Sequence, residues 1–218
     1  MKKIISVILF ISIFMGIFCG NTVFGASKVV FSDVPENHWA ASAISEMANQ
    51  GLFEGKSKNE DGTSNFCPND IMSRAEFITV IVRAFYSKDL ENYEVVRTPW
   101  WRIYYSVIVG RRILDYSDLD RGDLEKPMTR EEMAMVVVRT IENQGESFET
   151  LIPTSRISDF AEVTEEYQDY VQKAYTKGIL TGVDTKGTFD PDGTLTRAQA
   201  ATVLYRVINS SARLDVEF

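Results

Sequence analysis

The 218-residue sequence contains only two cysteines and one histidine, and these low counts restrict its chemistry. Cys19 lies in an apolar N-terminal stretch, so a chain that loses this stretch keeps Cys67 alone and forms no internal disulfide. An ordinary core must then stabilise it, which a length of about 190 residues permits. His38 and Cys67 are formally a base and a nucleophile. Both lie inside repeated motifs, however, which favours structural roles and no enzymatic activity.

Basic residues are also scarce, with 23 Lys and Arg against 31 Asp and Glu, for a net charge of −8. The first 25 residues contain two lysines and no acid, so without them the charge is 21 − 31 = −10. We therefore expect no nucleic-acid partner, because such interfaces need basic patches. The acidic loops at 115–123 and 184–192 lack an EF-hand pattern, so we expect no metal and no cofactor. No spacing singles out a carboxylate pair for glycoside hydrolysis.

Long apolar runs are absent except at the N-terminus. Two lysines, an apolar run at 4–18 and small residues near Gly25 predict a signal peptide over residues 1–25. The run is too short to be preferred as a membrane span, so we expect no transmembrane span after cleavage. The bulky Phe18 before Cys19 disfavours lipidation. The sequence thus predicts an exported protein.

One four-residue motif occurs three times, and each copy precedes an apolar run. Its Ser or Thr, followed three residues later by Glu or Gln, is a capping box that begins a helix. The arginine at its second position is unexplained, because a cation is unfavourable at the positive end of the helix dipole. We therefore predict that these arginines bind an anion; the alternative is an ion pair between repeats. The copies are Ser73–Glu76, Thr129–Glu132 and Thr196–Gln199, with Arg74, Arg130 and Arg197.

Apolar residues follow each motif arginine at offsets of 3, 4, 7 and 11, which is helical spacing. Another arginine follows after nine residues (83, 139 and 206), where a cation suits the helix C-terminus. An aligned upstream block predicts a second helix per repeat, ending at Gly51 and Gly178. Arg112 stands at the equivalent position of the middle repeat, which predicts a different or strained end. The sequence therefore predicts an all-α domain of three helix-loop-helix repeats.

The repeats resemble the S-layer homology (SLH) motif. The first copy contains Phe31-Ser-Asp33-Val-Pro35, Trp39 and Phe66-x-Pro68 before its arginine motif, and residues 157–199 repeat most of this pattern. The middle copy has no Phe-x-Pro. We assign 1–25 to the signal peptide, 28–86, 92–142 and 156–209 to the repeats, and 210–218 to a frayed tail.

The resemblance implies one pseudo-threefold bundle with grooves between the repeats. In that family the grooves hold a secondary cell wall polysaccharide that bears pyruvate ketals, and the motif arginine pairs with the pyruvate carboxylate. Helix N–H groups beside the arginine would add to such an anion site. The resemblance implies these site residues: Arg74, Arg130, Arg197, Asp33, Asp159, Trp39 and Trp100, with Glu94 aligned to Asp33 and Glu166 to Trp39. The alternatives are core packing for the tryptophans and a cap or Asx-turn for the aspartates.

The expected function is noncovalent anchoring to the wall of a Gram-positive-type bacterium, with other S-layer proteins as further partners. Three weak grooves on one polymer would add avidity. The sequence supports a binding site most strongly at the groove that uses Arg74, whose repeat keeps every motif, and least at the groove that uses Arg130, whose repeat has a degraded loop. The chain leaves no room for a cargo domain, so a stand-alone module is expected. The alternative is a helical-repeat protein that binds proteins, or a structural envelope protein, without carbohydrate binding.

Overall fold

A computed structural model describes residues 29–93, 99–119 and 121–215. The predicted signal peptide and Glu94 lie outside these residues. Within them the chain forms six α-helices and one small hairpin, β1 (Ser57–Lys58) and β2 (Ser64–Asn65). The prediction of an all-α fold is confirmed. No helix in the described ranges combines the length and the apolar character that crossing a membrane requires.

The helices form three consecutive helix-loop-helix units, which we call units 1, 2 and 3. In each, a nine-residue helix precedes a longer helix of 12 to 14 residues. The helices are α1 (Ala41–Asn49) and α2 (Arg74–Phe85), α3 (Arg102–Gly110) and α4 (Arg130–Asn143), and α5 (Gln168–Thr176) and α6 (Arg197–Ile208).

The longer helix of every unit begins with the predicted capping box. The Ser73 hydroxyl accepts a hydrogen bond from the Glu76 N–H at 3.2 Å, and the Glu76 carboxylate accepts one from the Ser73 N–H at 2.8 Å. The same reciprocal pair caps α4 and α6. Two orphan donors per helix are thereby satisfied, as the sequence predicts.

The units pack in a closed cycle, because α2 packs on α3, α4 on α5, and α6 returns to α1. The longer helix of each unit therefore covers the shorter helix of the next. Phe66 and Phe189, from the loops of units 1 and 3, are fully buried in the shared core. The loop phenylalanines thus fill the core, as their Phe-x-Pro motifs suggest.

Three backbone hydrogen bonds mark a pseudo-threefold axis at the centre. The Met72 N–H donates to the Leu195 carbonyl at 2.8 Å, Leu195 to Met128 at 3.0 Å, and Met128 to Met72 at 2.9 Å. All three side chains are buried. One residue from each unit thus closes a ring, which brings the three capping boxes together around one axis.

The helix α3 ends in the same left-handed turn as its counterparts. Gly51 and Gly178 have φ of +73° and +64°, and Arg112 has φ of +59°. The sequence predicted that α3 would end either differently from α1 and α5 or with backbone strain. The positive φ of Arg112 confirms the strained end. A side chain in this conformation costs about 1–2 kcal/mol relative to the right-handed region.

The segment 210–215 packs against the bundle, so the prediction of a frayed tail is wrong for these residues. The Arg213 guanidinium donates to both Glu146 oxygens at 2.7 and 2.6 Å. The Leu214 N–H donates to the Gly178 carbonyl at 3.0 Å. A Cβ at Gly178 would lie 2.0 Å from the Leu214 carbonyl oxygen, so this docking requires glycine there.

Candidate functional site in the grooves between units

Each motif arginine leaves its own unit and reaches another. Arg197 of unit 3 donates from Nε to the Phe66 carbonyl at 2.9 Å and from Nη2 to the Glu54 carbonyl at 2.8 Å, both in unit 1. Its guanidinium lies over the Phe66 ring, 4.6 Å from the centroid. The residue is only 7% exposed. Arg197 therefore cross-links two units through backbone carbonyls and a cation–π contact.

Arg130 of unit 2 repeats this geometry in unit 3. Its Nε donates to the Phe189 carbonyl at 2.6 Å, its Nη2 donates to the Thr181 carbonyl at 3.2 Å, and its guanidinium lies 5.0 Å from the Phe189 ring centroid. The residue is 5% exposed. Burial is the largest influence on its pKa, which lies below the usual value for arginine.

Arg74 of unit 1 is bound differently, by a carboxylate of unit 2. Its Nε donates to Glu132 Oε2 at 3.0 Å and its Nη2 to Glu132 Oε1, which forms a bidentate pair. Its Nη1 lies 3.4 Å from the Asp123 carbonyl oxygen. The hydrogen bond with Glu132 raises the pKa of Arg74. An intramolecular carboxylate thus fills the hydrogen-bonding fork of Arg74.

The helix N–H groups beside these arginines are already bonded. The Arg74 and Ala75 N–H groups donate to the Lys126 and Leu124 carbonyls at 3.0 and 2.8 Å, and both other capping boxes show the same two bonds. The third N–H is bound by the cap itself. The expectation that these donors would add to an anion site is therefore wrong.

Asp33 and Asp159 hold the loops of their own units. The two oxygens of Asp33 accept from the Phe66 and Cys67 N–H groups, both at 2.7 Å. Asp159 accepts from the two equivalent N–H groups, of Phe189 and Asp190, at 2.6 and 2.7 Å. Each carboxylate thereby fixes the loop carbonyl that receives a motif arginine, and acts on the groove indirectly.

Trp39 and Trp100 stand two residues before α1 and α3 and are largely exposed, at 65% and 45%. These exposures exclude core packing, which was the alternative role for both tryptophans. The Trp39 ring stacks on His38, with 5.6 Å between centroids. Glu166 occupies the equivalent position before α5, with the buried Tyr167 beside it. Both tryptophans present a ring face that a sugar could cover.

One groove lies between units 3 and 1, and we call it the 3/1 groove. Its volume is about 440 Å³, and Trp39, Arg130, Gln199, Thr202 and Arg206 are among its lining residues. The groove between units 1 and 2, the 1/2 groove, has about 410 Å³. Its lining includes Ser73, Glu76, Trp100 and Glu125. The charged side chains that line the first groove are basic, and those that line the second are acidic.

The last residue of each motif explains much of this difference. Glu132 pairs with Arg74, and Glu76 is the foremost of the charges that attract the buried Arg197. In the 3/1 groove the corresponding partner of Arg130 is Gln199. Asp190 and Asp159 raise the pKa of Arg130, but burial lowers it by more. Gln199 preserves the capping box and removes the countercharge.

The second arginines of units 2 and 3 also differ in their countercharge. Arg139 donates from Nη1 to the Ile113 carbonyl at 3.2 Å and to Asp118 Oδ2 at 2.5 Å. Arg206 makes the equivalent carbonyl bond, to Ile179 at 3.1 Å. Among the residues that the structure describes, no carboxylate lies within 4.0 Å of its guanidinium. Burial lowers the pKa of Arg206, with no other influence resolved.

The residue that could neutralise Arg206 is used elsewhere. Asp184 follows Ile179 by five residues, as Asp118 follows Ile113. Its Oδ1 accepts from the Lys186 and Thr188 N–H groups at 2.9 and 3.0 Å, and its Oδ2 accepts from the Thr188 hydroxyl at 2.8 Å. This Asx-type turn directs the carboxylate into its own loop. The 3/1 groove therefore holds one buried guanidinium, of Arg130, and one half-buried guanidinium, of Arg206, and both bond to carbonyl oxygens without a paired carboxylate.

Sequence reasoning attributed Arg206 to the helix dipole and missed its place in the groove. The signal was present, because an arginine recurs nine residues after every motif arginine, which a general dipole effect does not require. Gln199 was likewise visible as the one neutral residue at its motif position. The effect of Gln199 on the charge of the groove could not be predicted, because it depends on Arg130, which lies 69 positions earlier in the chain.

The catalytic and metal alternatives gain no support from the described residues. His38 Nδ1 accepts the Ala40 N–H at 3.1 Å, beside the start of α1, and the Cys67 N–H is held by Asp33. The described part of the chain contains no group of three or more His, Cys, Asp or Glu residues placed to hold a metal ion.

The geometry defines a helical bundle of three similar units with open grooves between them. The profile of the S-layer homology domain matches residues 30–78 and 156–201, which lie in units 1 and 3. The chain therefore carries S-layer homology sequence in two of its three units.

Curated relatives share this region. The chain is 27% identical over 84% of its length to an amylopullulanase of Thermoanaerobacterium thermosulfurigenes, and 32% over 53% to a surface-layer 125 kDa protein of Lysinibacillus sphaericus. It is 44% identical over 25% of its length to a cellulosome-anchoring protein of Acetivibrio thermocellus. The matches cover 10%, 10% and 11% of those proteins, so the chain spans about a tenth of each. The activity in the first name therefore does not transfer to this chain.

Proposed function

We propose that this protein anchors noncovalently to the bacterial cell wall by binding a secondary cell wall polysaccharide that bears pyruvate ketals. The binding site is the 3/1 groove, and the protein acts there as a binding module without catalysis. Its location is the cell surface of a Gram-positive-type bacterium. The single observation that carries the proposal is a groove that combines two largely desolvated guanidinium groups, neither of them paired with a carboxylate, with an exposed tryptophan.

The charge of the groove supports an anionic ligand. The protein as a whole is acidic, at −8, so its overall field repels an anionic polymer. Attraction must come from a local site, and Arg130 and Arg206 provide one in a partly desolvated groove. A ketal carboxylate is a compact anion that a planar guanidinium can bind through two parallel hydrogen bonds.

The exposed aromatic ring supports a sugar ligand. Trp39 lines the 3/1 groove, and 65% of its surface is exposed. An exposed aromatic face offers a large, stiff contact for the C–H surface of a pyranose. Thr202 and Gln199 add hydrogen-bonding groups to the same wall. The groove can thus bind the carboxylate and the sugar ring together.

We further infer that unit 2 is a diverged copy of the same motif. Its capping box, the left-handed end of α3 at Arg112 and the exposed Trp100 all repeat features of unit 1. Its loop lacks the Phe-x-Pro, which explains why the similarity is weaker in sequence than in structure. Binding to other S-layer proteins remains a prediction.

The proposal is tested by sedimentation of the purified protein with isolated Gram-positive-type cell walls. We expect the protein to pellet with intact walls and to remain in solution when the polysaccharide has been extracted. Trp39→Ala should reduce pelleting, whereas Tyr116→Ala is a matched control because Tyr116 is also exposed, at 69%, outside the residues that line the 3/1 groove. Equal pelleting with extracted walls would support a protein partner in the wall and overturn the proposal.

A further inference from the structure

We propose that the protein has one anion-binding groove rather than three, and that Arg206 binds the ligand carboxylate there while Gln199 keeps the site open to an anion. This inference rests on the proposed function for the identity of the polymer. The charge arrangement of the grooves carries it independently. Arg206 and Gln199 are therefore a ligand-binding and a specificity-determining residue that the resemblance does not indicate.

The 2/3 groove, between units 2 and 3, is neutralised from within. Glu132 binds Arg74 through both oxygens, and Asp118 binds Arg139 at 2.5 Å. A ligand carboxylate would have to displace an intramolecular carboxylate that is already in place. Such an exchange gains little free energy, because one charge-assisted pair replaces another.

The 1/2 groove repels anions. Glu76 and Glu125 line it, and no basic side chain does so among the described residues. The motif arginine nearest to Glu76 is Arg197, and unlike Arg130 it already has this carboxylate as the foremost charge that attracts it. A carboxylate entering this groove would therefore approach like charges before it met a cation, which is unfavourable.

The 3/1 groove has the opposite arrangement. Arg130 and Arg206 line it, Gln199 stands where Glu76 and Glu132 stand in the other units, and no acidic residue lines it. An isolated cation that is partly removed from water is costly unless an anion compensates it. A bound carboxylate supplies that compensation for both guanidinium groups.

Two substitutions test this arrangement, and the neutral glycoside controls for the Ile179 hydrogen bond that one of them removes. Gln199→Glu restores the acid that caps the other two helices, so it preserves the capping box and adds one negative charge to the groove. Arg206→Gln removes the guanidinium that we propose binds the ligand carboxylate. The matched controls are Glu76→Gln in the 1/2 groove and Arg83→Gln, which occupies the position of Arg206 in unit 1.

The probe is the methyl glycoside of a pyruvylated N-acetylhexosamine, titrated calorimetrically into the purified protein, with the ketal-free glycoside as the neutral comparison. We expect a stoichiometry of one. Gln199→Glu and Arg206→Gln should each weaken binding about tenfold or more, and both controls should stay within about twofold. Binding of the neutral glycoside should change little in any variant.

Absence of binding by the unmodified protein, a stoichiometry of two or three, or unchanged affinity in both groove variants would each overturn the inference. These results are distinguishable from failure of the proposed function. Wall sedimentation that depends on the polysaccharide but is unaffected by Gln199→Glu would refute the groove assignment alone. Sedimentation that does not depend on the polysaccharide would refute the proposed polymer, and the titration would still test the groove.

Discussion

Replacing Arg197 by methionine tests whether a motif arginine acts as a structural cross-link. The substitution keeps an unbranched apolar stem and removes the guanidinium, with its bonds to the Phe66 and Glu54 carbonyls and its stacking on the Phe66 ring. The sequence alone favoured a ligand role for this residue. With 7% of Arg197 exposed, we expect mainly a loss of stability.

The magnitude follows from the environment of each contact. The bond to the buried Phe66 carbonyl is worth about 1.5–3 kcal/mol, and the bond to Glu54 about 0.5–1.5 kcal/mol because water can replace it. The ring contact adds about 0.5–2 kcal/mol. Release of a desolvated cation offsets part of this sum, which leaves a net loss of about 2–4 kcal/mol. For a chain of this size that lowers Tm by about 4–16 °C.

The assay is thermal and urea-induced unfolding followed by circular dichroism, with Arg83→Met as the control. The control also removes one positive charge, and within the described ranges the Arg83 guanidinium contacts only Tyr104, 3.5 Å from its hydroxyl and 5.7 Å from its ring centroid. The control should lose less than about 1 kcal/mol. If the two variants unfolded within about 0.5 kcal/mol of each other, the carbonyl cross-link would not stabilise the bundle as argued.

Three further substitutions probe the framework of the grooves, each measured by urea-induced unfolding. Asp33→Asn should cost about 2 kcal/mol, because the carboxylate accepts two backbone N–H groups and an amide can accept only one. Arg112→Gly should stabilise by about 0.5–1 kcal/mol, since glycine relieves the left-handed strain at φ +59° and gives back part of the gain as chain entropy. Glu146→Gln should flatten the acid limb of stability: Arg213 lowers the pKa of Glu146, so the ion pair stabilises fully above the ordinary carboxyl pKa, and this stabilisation is lost as the pH falls through the lowered pKa.

The opposite results are equally informative for these variants. Unchanged stability of Asp33→Asn would mean that the loop N–H groups find water instead. Destabilisation by Arg112→Gly would mean that contacts of the arginine side chain outweigh its backbone strain. The effect of Glu146→Gln should stay below about 1 kcal/mol, because the pair is partly solvent-exposed. Identical pH profiles for this variant and the unmodified protein would contradict the ion-pair argument.

Local features of the fold could be predicted from the sequence because their causes lie within a few residues. The capping box at Ser73–Glu76 satisfies helix N–H groups within the same turn, and the apolar stripe after Arg74 marks the buried face. The left-handed end at Gly178 was predictable for the same reason. The tail was not, since it docks through Arg213 onto Glu146, which lies 67 positions away.

The partners of the motif arginines could not be predicted because they depend on which units meet. Arg74 has the most complete local motif, so the sequence supported a binding site at its groove most strongly. The structure places Glu132 against it, whereas Arg130, from the unit with the weakest motif, lines the 3/1 groove together with Gln199. Completeness of a repeat therefore describes how well that repeat folds, and the charge of a groove depends on residues that two or three units contribute.

The most direct measurement compares sedimentation of the purified protein with walls before and after selective hydrolysis of their pyruvate ketals, which leaves the polysaccharide chain in place. If the ketal carboxylate compensates the charges of Arg130 and Arg206, the protein should pellet with untreated walls and remain in solution with hydrolysed walls. Equal pelleting with both preparations would contradict recognition of the ketal.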